Sequence, residues 1–574
     1  MPRVEGGARW SWTGRVLGSF SFLASITLFS AACSTGKDAA EDSVERVDPA
    51  PSDSARTLQP MEAGRLLTRI SLDLRGVRPG IDELRSVRAD PAKAEAELDA
   101  AIERYLADPR FEERMVDLFA EIYLTRADAF TVGSNQYNID DRAAFTRAVG
   151  EEPLRLVARV AASDLPWTEI VTADWTMANE ALASAWYLPY PADGQGWQQS
   201  RYTDGRPAAG VLATNGLWWR YGSTSSNANR KRANQASRIL LCNDYLVRPI
   251  DFARDVDLLD EDAVNDAINN NPGCVNCHVS LDPFAAYFFG FWAYNGDSAR
   301  ESSLYHPERE RLWDDYLAEA PGFYGEPGSS LGDLGRQIAS DSRFPACATT
   351  QIYEALLRRG SGVGDMDALT GHREAFLASG LQLKALIRSV LHDPRYRSVD
   401  TANADALGGV PTKLVTVEQL GAQIEALTGF SWTNGGIEML GNDQVGVRTL
   451  AGGADGDTVV RSATQVNATM LLVQARLAEA AATHAAWRAL EEGDRSLFTR
   501  MLPDVPRQRD PEAAVGMLQD WMLMILGREV AADGEEITAL LALYDELYAA
   551  EEDPTVAWVG VLVALLRDPD LLLY

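Results

Sequence analysis

Asn271-Pro272-Gly273-Cys274-Val275-Asn276-Cys277-His278 holds the residues of this chain whose types and spacing point most directly to chemistry. Two thiols separated by two residues and followed at once by an imidazole form the CxxCH pattern of c-type haem attachment. On one turn of helix, Cys274 and Cys277 reach the two vinyl groups of one porphyrin, and His278 offers its ring to the iron as proximal ligand. The cofactor this predicts is one covalent haem c. Three other outcomes use the same residues. A Cys274–Cys277 thiol–disulfide pair calls for a thioredoxin-like βαβ setting, which the flanking sequence does not supply. A zinc site on Cys274, Cys277 and His278 lacks a second Cys or His pair nearby. A degenerate motif without haem is the third.

The sixth iron position is left open. A Met or His there suits electron transfer, and a vacant position suits small-molecule chemistry. His306, His372 and Met366, in loop-like sequence downstream, and Met177 upstream are the candidates. Each alone is more readily a surface or core residue than a ligand, so none is singled out.

The other three cysteines complete the account of thiols. Arg3, Arg9 and Arg15 precede an apolar run from Val16 to Ala32 that closes in Ser30-Ala31-Ala32-Cys33. A basic start, a short apolar stretch and small residues at its end describe an export signal rather than a membrane span. The end of that run is similar to a bacterial lipoprotein signal, which implies that Cys33 becomes a lipid-bearing first residue. An ordinary cleavage site at Ser30-Ala31-Ala32 is the other outcome. The expected location is the periplasm or cell envelope, with a lipid anchor on Cys33. Export also favours pairing of the remaining thiols, so a Cys242–Cys347 disulfide is expected, against two buried thiols acting as small apolar residues.

The elements that must position these residues are helices. Segments such as RLLTRISLDL, AELDAAIERYLAD, RMVDLFAEIYL, LKALIRSVLHD and AVGMLQDWMLMILG repeat apolar residues at three- and four-residue spacing. The predicted class is all-α: several helical modules joined by long irregular aromatic and glycine-rich loops. Residues 1–33 are assigned to the signal and 34–60 to a disordered acidic tether. Residues 61–185 form an N-terminal helical module, and 186–300 an aromatic layer with the CxxCH segment. Residues 301–400 form a further helical module and 401–574 a second helical region. Leu106-Ala107-Asp108-Pro109, Leu391-His392-Asp393-Pro394 and Leu566-Arg567-Asp568-Pro569 end three stretches of shared layout, which suggests internal duplication. The stretch Trp186–Tyr221, with Trp197, Trp218 and Trp219, is either a binding surface or a layer packed on a core.

With 53 Lys and Arg against 83 Asp and Glu, the formal charge of −30 makes nucleic acid and anionic lipid surfaces poor partners. At 574 residues the chain has length for about three or four domains, and five cysteines are too few for a disulfide-built scaffold. No G-x-S-x-G or HExxH motif is read in the sequence, and no paired carboxylates stand out from the acidic background, so a hydrolase is the weakest class.

The chain resembles multi-domain planctomycete and myxobacterial cytochrome-like proteins built from adjoining domains of unknown function. Val171 to Glu180 with Leu182-Ala183 carry the resemblance, which is most specific around 206–283, in Arg206 to Thr214, Asn229 to Cys242, and Cys274 to Pro283 (CVNCHVSLDP). Arg69 to Glu83, Cys347 to Gly360 and Leu381 to Tyr396 extend it across most of 61–400, and 401–574 fits less closely. Phe284-Ala285-Ala286 stands where that family often has Gly after Asp-Pro, and the separate cytochrome domain that its larger members carry is not found in this sequence. The resemblance implies a helical architecture and a haem, and implies no particular reaction. The expected function is an exported, lipid-anchored c-type haem protein serving electron transfer to a redox partner the sequence does not identify. The competing expectation is a cell-surface binding or structural protein whose CxxCH is a disulfide or vestigial.

Overall fold

A computed structural model of the chain describes residues 58–126, 139, 141–247, 256–257, 259–399, 412–434, 437–442 and 446–574. Cys33, the signal segment and residues 34–57 lie outside the described residues. Helix dominates at 61% against 5% strand, which agrees with the all-α class. The longer helices are α1 (Ala63–Arg75), α2 (Ile81–Ala89), α3 (Ala94–Leu106), α4 (Arg110–Tyr123) and α5 (Arg142–Ala162). They continue with α6 (Arg230–Leu241), α7 (Glu261–Asn270), α8 (Pro272–Ala286), α9 (Arg343–Leu357), α10 (Met366–Ala378) and α11 (Leu383–Leu391). The last are α12 (Val417–Thr428), α13 (Ala468–Trp487), α14 (Pro511–Leu526), α15 (Glu535–Glu551) and α16 (Pro554–Leu566).

Strands among the described residues form two-stranded antiparallel pairs. One joins Gln59–Pro60 to Ser398–Val399, so the last residues assigned by sequence to the tether are held in structure. The pairing has a local cause: Met61 N–H donates to the Arg397 carbonyl beside it at 2.9 Å.

Two hydrophobic cores account for most buried apolar side chains. The first runs from Met61 to Tyr396 without a break at 185/186 or 300/301, and adds Leu523. The second takes residues from Leu414 to Tyr574, and adds Leu72. Helix α1 serves both, because Leu66, Ile70 and Leu74 face the first core while Leu72 faces the second. Helix α5 is buried along most of its length in spite of Pro153 in its interior. Pro153 donates no hydrogen bond to the Val149 carbonyl one turn back. A Cβ on Gly216 would lie 2.0 Å from that carbonyl oxygen, so only glycine lets the following segment approach there.

The three Asp-Pro endings share one geometry. Helices α3, α11 and α16 each stop two residues before the aspartate. Asp108, Asp393 and Asp568 then accept the backbone N–H two residues on, at 2.9, 2.7 and 2.9 Å. The aspartate therefore caps the following turn, a role that accounts for its recurrence in local terms. The matching upstream turns differ: Gly76 and Gly527 take left-handed conformations after α1 and α14, whereas after α9 that conformation falls on Arg358.

Candidate functional site

Helix α8 carries the CxxCH segment, and its start is built by sequence. Asn271 caps it by accepting the Gly273 N–H at 2.9 Å, and Pro272 occupies the first helical position, where no N–H is needed. The far end is anchored: Leu281, Phe284 and Ala285 enter the first core, with Phe284 ring contacts to Phe288 and Phe323. The near end, residues 272–280, is exposed or half-buried, with α7 packed alongside. Cys274 and Cys277 are both half-buried free thiols, and Cys277 rests against the first core.

His278 is oriented by its own helix. Its Nδ1 lies 2.9 Å from Asp282 Oδ1, one turn on. Arg230 of α6 holds the same carboxylate in a fork, with Nε 2.7 Å from Oδ1 and a terminal nitrogen 2.9 Å from Oδ2. Burial alone would raise the Asp282 carboxyl, but the hydrogen bonds from Arg230 and His278 bring it below its ordinary value. The anion accepts the Nδ1 proton, which selects the tautomer whose Nε2 carries the lone pair. Around that ring lies a mostly polar cavity of about 400 Å³, lined among others by Val275, His278 and Asp282 from α8, Asn269 from α7, and Asp315 and Glu319.

The donor set fits a covalently held haem. Two free thiols stand at i and i+3, the adjacent imidazole has its second nitrogen clamped by a carboxylate, and open space adjoins it. The sixth-ligand candidates are elsewhere. His306 engages both ring nitrogens, with Glu308 at 3.0 Å and the Glu301 carbonyl at 2.9 Å. His372 does likewise, with Ser389 at 2.8 Å and Asp393 at 3.0 Å. Met177 is buried in the strand Thr176–Ala178, and Met366 is 57% exposed at the start of α10. None of the four lines the His278 cavity. His372 and Met366 also belong to a helix, not a loop; the glycine-rich approach at Gly360, Gly362 and Gly364 masks the helix that follows.

Cys242 and Cys347 are joined by a disulfide that links the end of α6 to α9. A hydroxyl network leads from it to α8: Asn243, next to Cys242, donates to the Tyr324 hydroxyl at 3.0 Å. Tyr245 meets that hydroxyl at 3.1 Å and Ser280 of α8 at 3.0 Å. The aromatic stretch Trp186–Tyr221 turns mainly inward, since Trp186, Trp218 and Tyr221 are buried and Trp197 and Trp219 half-buried. Packing of Trp218 on Phe288 and Phe291 makes this stretch a wall under the α8 segment.

Sequence reasoning missed the partners of His278. Asp282 was legible as a carboxylate at i+4 from a histidine on a helix, whereas Arg230 lies 52 residues from Asp282 and carries no local signal. The reading that no G-x-S-x-G is present is also corrected. Gly328-Ser329-Ser330-Leu331-Gly332 spells G-x-S-x-G, but Ser330 caps the helix Leu331–Ser340 and its hydroxyl pairs with Asp333, not with a histidine.

Comparison with known proteins bears on the N-terminal part. Residues 62–188 match a family described as a protein of unknown function (DUF1592), a span well under half of the chain that ends before the CxxCH helix. That description attaches no cytochrome character or activity to the match. No curated protein and no solved structure matches the chain.

Proposed function

We propose that this chain is an exported, lipid-anchored c-type haem protein that transfers electrons. The observation that carries the proposal is the clamp on His278: its Nδ1 proton is held by Asp282, itself held by Arg230, on the helix that presents Cys274 and Cys277. Such a carboxylate behind a ligating imidazole fixes the ring and raises its basicity.

In this function Cys274 and Cys277 hold the group through their sulfurs, and His278 ligates through Nε2. Asp282 keeps the Nδ1 proton in place, and Arg230 keeps Asp282 ionised. Haem bound there supplies a one-electron couple. Anchoring of the far end of α8 in the first core keeps the two thiols and the imidazole in one register, while the open near end gives a partner access. Lipidated Cys33 would hold the protein at the membrane; no helix among the described residues is long and apolar enough to cross one.

Expression with c-type maturation machinery tests the proposal. Haem that stays with the polypeptide on a denaturing gel, gives a pyridine haemochrome spectrum, and is lost when Cys274 and Cys277 are both changed to Ala is the expected result. A chain that matures without bound haem overturns it. For the anchor, Cys33→Ala is expected to move the protein from the membrane fraction to the soluble fraction.

A further inference from the structure

Glu95, Asp99 and His392 bring one ligand atom each within 4.8 Å of one another, the one such group of His, Cys, Asp or Glu side chains among the described residues. Glu95 and Asp99 stand one turn apart on the same face of α3, and His392 follows the last turn of α11. All three are exposed, so water reaches the group. The turn itself does not require the imidazole, since Ala107 and Arg567 hold its place in the two matching Asp-Pro endings.

The ring of His392 is set by a group outside this trio. Its Nδ1 lies 2.8 Å from the Arg388 carbonyl, and a carbonyl only accepts, so the ring proton sits on Nδ1. Nε2 then turns its lone pair on Asp99 Oδ1 at 2.9 Å, an acceptor facing an acceptor. A cation has to lie between them, either a second proton or a metal ion. Metal–ligand bonds of about 2.1 Å at right angles put neighbouring ligand atoms about 3.0 Å apart, close to the spacing found here. A backbone carbonyl behind a ligating imidazole is also a common support of such a ring. His306 faces a carbonyl and a carboxylate in the same way, but no third ligand joins it among the described residues.

The charges nearby fit a divalent ion. Arg397 holds Glu95 Oε1 at 2.5 Å, and that carboxylate keeps further lone pairs. Arg388 and Glu103, beside the group, balance each other. Two carboxylates less the Arg397 guanidinium leave one net negative charge, with open positions for water. The imidazole nitrogen favours a first-row transition ion over Mg²⁺ or Ca²⁺, which take oxygen ligands.

We propose that Glu95, Asp99 and His392 bind a divalent first-row transition ion such as Zn²⁺, with water completing its shell, and that the ion ties α3 to α11. The test is titration calorimetry of the full chain with Zn²⁺ at pH 7.5, in a Cys274→Ala, Cys277→Ala background so that those thiols take none of the metal. Saturable binding at one site per chain is expected. His392→Ala and Asp99→Asn each remove a ligand and should weaken it about tenfold or more. Both side chains lie at the surface, so neither variant disturbs a core. Mg²⁺ should bind at least about tenfold more weakly than Zn²⁺. No saturable Zn²⁺ binding overturns the proposal and leaves His392 and Asp99 as a plain ion pair. Binding unchanged in the two variants puts the metal elsewhere and overturns it, as does Mg²⁺ binding as tight as that of Zn²⁺, the mark of a general acidic patch.

Discussion

Lys413 Nζ lies 2.5 Å from Asp73 Oδ2, with both side chains buried at 0% and 3% exposure. The same carboxylate accepts the Tyr396 hydroxyl at 2.7 Å and the Tyr574 hydroxyl at 2.9 Å. Asp73 sits on α1 and Tyr396 in the first core, while Tyr574 belongs to the second core and Lys413 adjoins it through a paired backbone contact with Tyr574. One buried anion therefore fastens the two cores together.

Removing that anion leaves the Lys413 amine and two hydroxyls buried without their shared acceptor. Asp73→Ala is expected to destabilise the chain by about 3–5 kcal/mol, the cost typical of breaking a buried ion pair from one side. Urea unfolding at pH 7, followed by tryptophan fluorescence, measures it. A loss under about 1 kcal/mol would show that the pair is not a fastening.

The same pair sets a pH dependence. Burial pushes the Lys413 ammonium down to about 7; Asp73 opposes that shift and Arg69 adds to it. In the unfolded chain the group titrates near 10.4. Between these values the unfolded state holds a proton that the folded state lacks, so this residue adds stability as pH rises from about 7 toward 10, and none of that gain remains below 7. The limiting slope is about 1.4 kcal/mol per pH unit. Unfolding of the native chain and of Lys413→Met at pH 7.5 and 9.5 measures it: their stability difference should move in favour of the native chain at the higher pH. A difference independent of pH refutes the depressed lysine.

What the sequence disclosed follows the range of each interaction. Helices such as α1, α4 and α11 were legible because their apolar residues repeat within the helix itself. The thiols and His278 were legible because haem attachment needs them adjacent in sequence. Asp73 and Lys413 are 340 residues apart, and Arg230 lies 52 residues from the Asp282 it holds. Charged residues at core positions carry no periodic signature, so pairings of this kind emerge only from the packed chain.

The Cys242–Cys347 disulfide spans 105 residues, including all of α7 and α8. Replacing both cysteines with Ala is expected to cost about 2–5 kcal/mol, because the unfolded chain regains the freedom of a long loop. Guanidinium unfolding of the oxidised protein and of the double variant gives the value. Equal midpoints would show that the bond adds nothing to stability.

Asp282 offers a test of how the α8 site works, resting on the proposed haem. Asp282→Asn keeps an acceptor for the His278 Nδ1 proton but removes its charge, and leaves Arg230 without its carboxylate. Attachment should survive, because Cys274 and Cys277 carry it. The imidazole becomes a weaker donor, so the oxidised state loses stabilisation and the potential rises. The expected shift is on the order of 60 mV, the one-electron equivalent of a tenfold change in ligation. Arg230→Gln acts in the same sense and by less, since it removes the guanidinium that keeps the buried Asp282 ionised while leaving its hydrogen bond to His278. Redox titration of the two variants followed by visible spectroscopy should therefore show upward shifts, the larger in Asp282→Asn. Potentials unchanged in both variants would mean that the clamp acts only by holding α6 against α8.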